Sequence, residues 1–360
     1  MNPQRRRWLT TMLLATASPG LRAQGIRRGR ALAFPRDHGA HLDVRTEWWY
    51  ATGWLGDARG EPTHGFQLTF FRSRTGLAEG VQSRFAARQL LFAHAAITQL
   101  DGGQHGHDQR IARWNGEPGA AVAGAALEGG AVRLNGWTLA DDGQAWLARV
   151  PGRELGLDLR LARTQPLLLQ GDAGYSRKGP LESQASHYVS EPQLAASGTL
   201  TLRGRTVTAQ GRAWLDHEWS DEYLAPGVVG WDWIGFNLFD GSALTAFVLR
   251  GEGGSALWAG GSLRAAGAAP RAFAADEVRF TPGRRWRSPS SAGDYPVQWQ
   301  VDTPAGRHTV RALLDAQELD SRGSTGAIYW EGFSELLDAQ GKRVGLGYLE
   351  MTGYAARLRM

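Results

Sequence analysis

Leu155-Gly156-Leu157-Asp158-Leu159-Arg160-Leu161-Ala162 places a leucine at every second position, with Gly, Asp, Arg and Ala between them. Successive side chains of a strand point to opposite faces, so this stretch is one buried and one largely wetted face of an antiparallel sheet. The same period of two runs outward on both sides. It recurs at 46–55, 66–72, 90–98 and 131–139 before this stretch. After it come 199–202, 206–214, 229–239, 244–250, 257–263, 297–301, 308–314, 327–335 and 344–351. Short strands separated by Gly, Pro and Asp turns predict an all-β chain of two β-barrels or sandwiches. Only 76–87 reads as a helix, and 163–193, long and polar, reads as a loop of the kind that carries function. The 360 residues suffice for two domains at roughly 100–200 residues each. Pro226-Gly227 breaks the pattern between them, so we expect domains at 24–221 and 222–360. The 48 glycines suit the corners and bulges of closed sheets.

The formal charge of +5 invites a nucleic-acid or acidic-membrane reading. Its source argues against that. Arg5-Arg6-Arg7, an apolar stretch from Trp8 to Ala17 and a small residue at Ala23 form an export signal over residues 1–23. Arg5-Arg6-Arg7-Trp8-Leu9 also fits a twin-arginine signal, with an ordinary Sec signal as the alternative. Cleavage after Ala23 removes four arginines and no acid, leaving +1. The expected location is periplasmic or secreted, with no nucleic-acid partner, and the mature chain is expected to be a monomer. Residues 25–36, with Arg27, Arg28 and Arg30, read as an exposed basic arm.

The familiar catalytic signatures are missing. With no Cys there is no disulfide or thiolate nucleophile. The chain has no G-x-S-x-G elbow, Walker loop, dinucleotide fingerprint or H-E-x-x-H. His105-Gly106-His107 reads as a solvated loop rather than a metal site. Neither metal nor cofactor is therefore expected, and a serine or metal hydrolase has no support.

What stands out is tryptophan beside carboxylates and histidine. Glu47-Trp48-Trp49-Tyr50, preceded by His41 and Arg45, forms one cluster. Trp214-Leu215-Asp216-His217-Glu218-Trp219 forms another, followed by Trp231-Asp232-Trp233. Taken singly, such residues fill barrel cores and form strand ion pairs. Together they suit an apolar-ligand pocket with a few polar groups. A carboxylic acid buried among indoles keeps its proton near neutral pH and can protonate an alkene; a Trp face then stabilises the cation. In this reading His217 positions water. Glu47, Trp48, Trp49, Tyr50, Trp231 and Trp233 line the ligand site.

At these same residues the chain resembles the AttH proteins, often labelled secreted hydrolases, which are similar to the bacterial carotenoid 1,2-hydratases. The resemblance rests on Arg45-Thr-Glu-Trp-Trp-Tyr50, Gly65-Phe-Gln67, Phe70-Phe-Arg72, Phe92-Ala-His-Ala95 and Trp214-Leu-Asp216 to Asp221. It continues through Gly230-Trp-Asp-Trp233, Tyr329-Trp-Glu-Gly332 and Gly347-Tyr-Leu-Glu-Met-Thr-Gly-Tyr354. It implies two packed lipocalin-like antiparallel β-barrels and cofactor-free addition of water across an isoprenoid double bond. It also implies a His-x-Trp element, matched by His217-Glu218-Trp219, with a nearby Tyr and Asp. Asp232 or Asp240 could be that Asp, although Gly230 and Leu238 stand where the Tyr would be. AttH proteins are further associated with ABC-type export permeases. The resemblance thus leaves two readings open: a hydro-lyase acting on an isoprenoid or lipid-like ligand, with Asp232 as the acid and His217 and Trp219 supporting, or a non-enzymatic periplasmic carrier working with such a permease.

Overall fold

The computed structural model describes residues 25–357 apart from Ala121 and Tyr223; the export signal expected over residues 1–23 lies outside them. Two large antiparallel sheets, each formed from a continuous half of the chain, make up the fold. In the first, the spatial order is Gln104–Trp114, Gln89–Gln99, Pro62–Arg74, Thr46–Gly56, Arg205–Ser220, Ala185–Leu202, Leu155–Ala162, Ala145–Val150, Trp137–Asp141, Ala131–Leu134 and Ala123–Ala125. Its two edge strands approach each other, so the sheet is a nearly closed barrel. Leu155, Leu157, Leu159 and Leu161 all fall in its core, alongside Trp49, Phe66, Leu91 and Leu215.

The second sheet runs Arg271–Phe273, Ala256–Arg264, Ala243–Arg250, Gly230–Leu238, Arg343–Met351, Ala327–Leu337, Gly306–Ala312, Gln298–Thr303 and Arg279–Pro282. Ile234, Phe236, Val248, Trp299, Trp330 and Leu349 fill its interior. The fold is thus all-β, with two barrels, one of the alternatives the strand pattern predicts and the lipocalin-like arrangement the resemblance implies.

The central strands of each sheet are buried on both faces, because their outer faces meet. Tyr50 and Trp214 of the first sheet pack with Trp233, Phe247, Phe333 and Tyr348 of the second. Gly65 makes this close approach possible, since a Cβ there would sit 2.6 Å from the Phe333 Cβ.

Several local expectations are corrected. The run 131–139 is two strands joined by Asn135-Gly136, whose φ values of 48° and 85° suit a tight hairpin turn. His105 and His107 lie inside the strand Gln104–Trp114, not in a solvated loop, and His105 Nδ1 is 3.0 Å from the Thr98 hydroxyl. The loop expected over 163–193 contains the short strands Leu168–Leu169 and Tyr175–Arg177 and the beginning of Ala185–Leu202. Residues 25–36 do not stand free: Ile26, Leu32 and Phe34 pack on Val44, Val189 and Trp219. Residues 76–87 are not helical. Gly76 takes a φ of 68°, and the four-residue spacing of Leu77, Val81 and Phe85 finds no surface to pack on, leaving all three exposed.

Candidate functional site

The two tryptophan-rich strands are neighbours. Trp48 is opposite Glu218, Trp49 opposite His217, and Tyr50 opposite Asp216. Alternation then divides their side chains between two environments. Glu47, Trp49, His217 and Trp219 face the end of the first barrel; Trp48, Tyr50, Asp216 and Glu218 face the second sheet.

On the barrel side, Glu47 is fully buried and saturated. Its Oε1 lies 2.8 Å from His41 Nδ1 and 3.0 Å from His217 Nε2, and Arg72 Nε donates to Oε2 at 2.7 Å. Trp219 stacks on His41 with centroids 3.8 Å apart, and Trp49 stacks on His217 at 4.8 Å. Burial alone would raise the Glu47 carboxyl. The Arg72 charge and the two imidazole bonds outweigh it and hold Glu47 well below the usual carboxylate range. Burial likewise opposes charge on His41, but bonds to Asp37 and Glu47 raise its pKa, whereas burial lowers His217. The donor atoms of His41, Glu47 and His217 lie within 4.8 Å of one another, close enough for a metal ion. However, both imidazoles already point at one carboxylate oxygen and a guanidinium holds the other. The set is therefore built as a hydrogen-bonded network with its cation in place.

The other face lines a chamber of about 80 Å³ between the barrels. Trp48, Tyr50, Thr69, Phe71, Tyr188, Asp216, Glu218, Trp231, Trp233, Tyr329, Glu331 and Glu350 form its walls. A vestibule of about 280 Å³ adjoins it, sharing Trp48, Phe71, Trp231, Tyr329 and Glu350 and adding Arg45, Phe92 and His94. Together they reach the low end of small-molecule sites, roughly 300–1,000 Å³. Larger recesses near Trp258 (510 Å³) and Arg212 (1070 Å³) gather no comparable set of buried titratable groups.

Four carboxyls meet in this small aromatic space. Glu331 and Glu350 are direct cross-strand partners, a placement that brings Cβ atoms to about 5 Å. Burial, then the charge of Glu350, pushes Glu331 well above the usual range; Tyr50 donates a short hydrogen bond to it. Burial pushes Glu350 up to about 7 against a bond from Trp231. It does the same to Asp216, up to about 7, although Tyr188, Ser190 and Trp214 donate to it at 2.7, 2.5 and 2.7 Å. Glu218 is paired with Lys178 at 2.9 Å. Glu331 is buried and Glu350, beside it, is half-buried; two carboxyls so close in an aromatic chamber cannot both ionise cheaply, so the Glu331–Glu350 pair keeps a proton at neutral pH.

A polar chain ends at the chamber wall. Gln109 donates its amide to the Asp320 carbonyl, so its oxygen accepts from the Ser324 hydroxyl at 2.6 Å. Ser324 Oγ must then accept from His94 Nε2–H at 2.9 Å, which leaves His94 Nδ1 to accept from the Tyr329 hydroxyl at 2.8 Å. Burial lowers His94 to about 3, consistent with a neutral ring. The Tyr329 oxygen also accepts from the Gln67 side chain, and its remaining lone pair lies beside Glu331 and Glu350.

Of the residues expected from the sequence, Trp48, Tyr50, Trp231 and Trp233 share this chamber, while Glu47, Trp49, His217 and Trp219 share the barrel network. Asp232 joins neither group. It lies on the opposite face of its strand from Trp231 and Trp233, 2.8 Å from Arg250, and accepts from the Tyr354 hydroxyl at 2.9 Å. The sequence reading did not select Asp216, Glu218, Glu331 or Glu350 as site residues. Period two alone would have placed Asp216 and Glu218 on one face; their union with Glu331 and Glu350 depends on packing between the sheets.

The raised carboxyls fix a pH dependence. A carboxyl whose folded pKa exceeds its unfolded value stabilises the fold while protonated, and that contribution is lost as pH rises through the folded pKa. Thermal midpoints should therefore fall between about pH 7.5 and 8.5, above the titration of unfolded histidines, several of which are buried with lowered pKa values and oppose the fall at lower pH. Glu331→Gln, neutral throughout, should flatten that fall; a slope equal to that of the parent would remove Glu331 as its source.

The AttH-like family model matches residues 26–354. A Nitrosomonas europaea protein classed as AttH has a crystal structure 44% identical in sequence, with a TM-score of 0.83 over 92% of this chain and 99% of that one. Kievitone hydratase from Nectria haematococca shares the fold at 14% identity and a TM-score of 0.66, covering 91% and 94%. CghA, in complex with Sch210972, does so at 14% identity and 0.52, covering 92% and 95%. No curated protein sequence matches the chain. With the family motifs laid out on the paired strands that build the barrel network and the chamber, the chain belongs to the AttH-like family.

Proposed function

We propose that the chamber receives the unsaturated end of an apolar ligand, isoprenoid or lipid-like, and adds water across its C=C bond by acid catalysis, outside the cytoplasm. The observation that carries this reading is the direct cross-strand placement of Glu331 and Glu350 in a chamber walled by Trp48, Trp231 and Trp233, a setting in which the pair holds a proton at neutral pH. The occurrence of a hydratase on the same fold is consistent with it. Protonated Glu331 gives its proton to one alkene carbon, so the π pair becomes the new C–H bond and the other carbon becomes a cation. Trp48, Trp231 and Trp233 face that cation, with the carboxylate of Glu218 across the chamber. Water held by the Tyr329 oxygen adds its lone pair to the cation and gives a proton to the Glu350 carboxylate; proton exchange within the pair restores Glu331. Atoms balance as alkene plus water giving alcohol.

The test is incubation of the protein with lycopene or neurosporene in detergent, in ordinary and in ¹⁸O water. A product one water heavier that takes up the label supports the reading; saturable binding without any product overturns it. Tryptophan fluorescence provides the binding measurement, because three indoles line the chamber. Quenching without turnover would favour the second reading, a periplasmic carrier that hands its ligand to an ABC-type permease. The vestibule leading into an aromatic chamber supports that role equally well.

A further inference from the structure

Residues 75–88 join two strands at the rim of the vestibule. Arg72 and Ser73 line the vestibule just before the loop, and its neck is closed by Arg74 N donating to the Arg45 carbonyl at 2.8 Å and Thr75 N to the Arg88 carbonyl at 3.0 Å. The loop holds Leu77, Val81 and Phe85 out to solvent, at 88, 47 and 60% exposure. Arginines ring them. The Arg84 and Arg113 guanidiniums sit 4.9 and 5.6 Å from the centre of the Phe85 ring, and Arg88 donates to the Val81 carbonyl at 2.8 Å. Glu79, paired with Arg74 at 2.9 Å, is the only acid in the segment.

Three large apolar side chains on one exposed loop mark an interaction surface. The segment is irregular and offers neither a strand edge nor a groove, so it suits a fluid partner better than one requiring shape complementarity. Its cationic ring selects a negative one. We propose that this loop rests on an anionic lipid surface, with Leu77, Val81 and Phe85 in the acyl boundary and Arg84, Arg88 and Arg113 among the headgroups. The vestibule would then open beside the bilayer, where a membrane-dissolved ligand could pass in. That use rests on the function proposed above; the lipid contact itself does not.

Flotation of the full chain with vesicles tests the contact. Vesicles of phosphatidylcholine with phosphatidylglycerol should carry the protein up at least tenfold better than phosphatidylcholine alone, with the difference shrinking in high salt. The triple variant L77S/V81S/F85S should lose at least tenfold of that binding at an unchanged thermal midpoint, since all three residues are exposed. R84E/R88E, which leaves the apolar residues in place, should abolish the anionic preference. No flotation, equal flotation with both vesicles, or parent-like binding by the triple variant would each overturn the proposal, and the first would point to a protein partner. Glu331→Gln should float as the parent does, so loss of hydration with retained flotation would count against the chamber reading alone.

Discussion

Glu331→Gln is expected to lower hydration by about 10² to 10⁴-fold, the usual contribution of a positioned general acid. The amide keeps the volume of the side chain and can still meet the Tyr50 hydroxyl, so the loss should fall on turnover and leave ligand quenching near the parent value. Glu350→Gln should cost less. It removes the group that takes the proton from water and the neighbouring charge that helps keep Glu331 protonated, but burial, the larger influence on the proton donor, remains. The parent rate should rise as pH rises through about 7, where Glu350 ionises and becomes able to take the proton from water while Glu331 keeps its own, and that inflection should vanish in Glu350→Gln. Asp232→Asn is the comparison that matters. If it abolishes turnover in folded protein while Glu331→Gln does not, the acid lies on the second barrel's side and the chamber assignment falls.

The second large effect concerns folding. Glu47→Ala should destabilise the protein by about 3–5 kcal/mol, because it leaves the Arg72 guanidinium buried and unpaired and takes a partner from each of two imidazoles. Equilibrium urea unfolding would read this as a lower midpoint with little change in slope. Replacing both members of the ion pair, Glu47→Leu with Arg72→Met, should recover part of the loss, since no charge is then stranded. If Glu47→Ala costs under about 1 kcal/mol, the network does not hold the barrel end together.

The barrels were legible from period two and turn chemistry, because alternation is local and repeats along every strand. The misreadings also have local causes. Leu77, Val81 and Phe85 carry helical spacing without a surface to bury it, and Asn135-Gly136 is a hairpin signal inside what looked like one strand. Half of the site could be read in the same way: Trp48 and Tyr50 stand in the first cluster, Trp231 and Trp233 in the second. The acids were harder. Glu331 and Glu350 lie more than a hundred residues beyond Glu218 in the chain, and only the docking of one barrel on the other brings them together. Asp232 drew attention through its neighbours, yet being one residue from Trp231 and Trp233 puts it on the far side of the strand.

The pairing of Thr46–Gly56 with Arg205–Ser220 also bears on heredity. One ribbon carries a folding code on its odd positions and a candidate chemical code on its even ones. Substitutions at 47, 49, 217 or 219 should therefore surface as lost protein, and those at 48, 50, 216 or 218 as lost action in protein that still accumulates. A single-residue deletion ahead of Asp216 in the second strand would exchange its two faces, turning the carboxyls of Asp216 and Glu218 into the barrel and the His217 imidazole toward the second sheet. This ribbon can drift by replacement, one face at a time, but is closed to change by insertion or deletion.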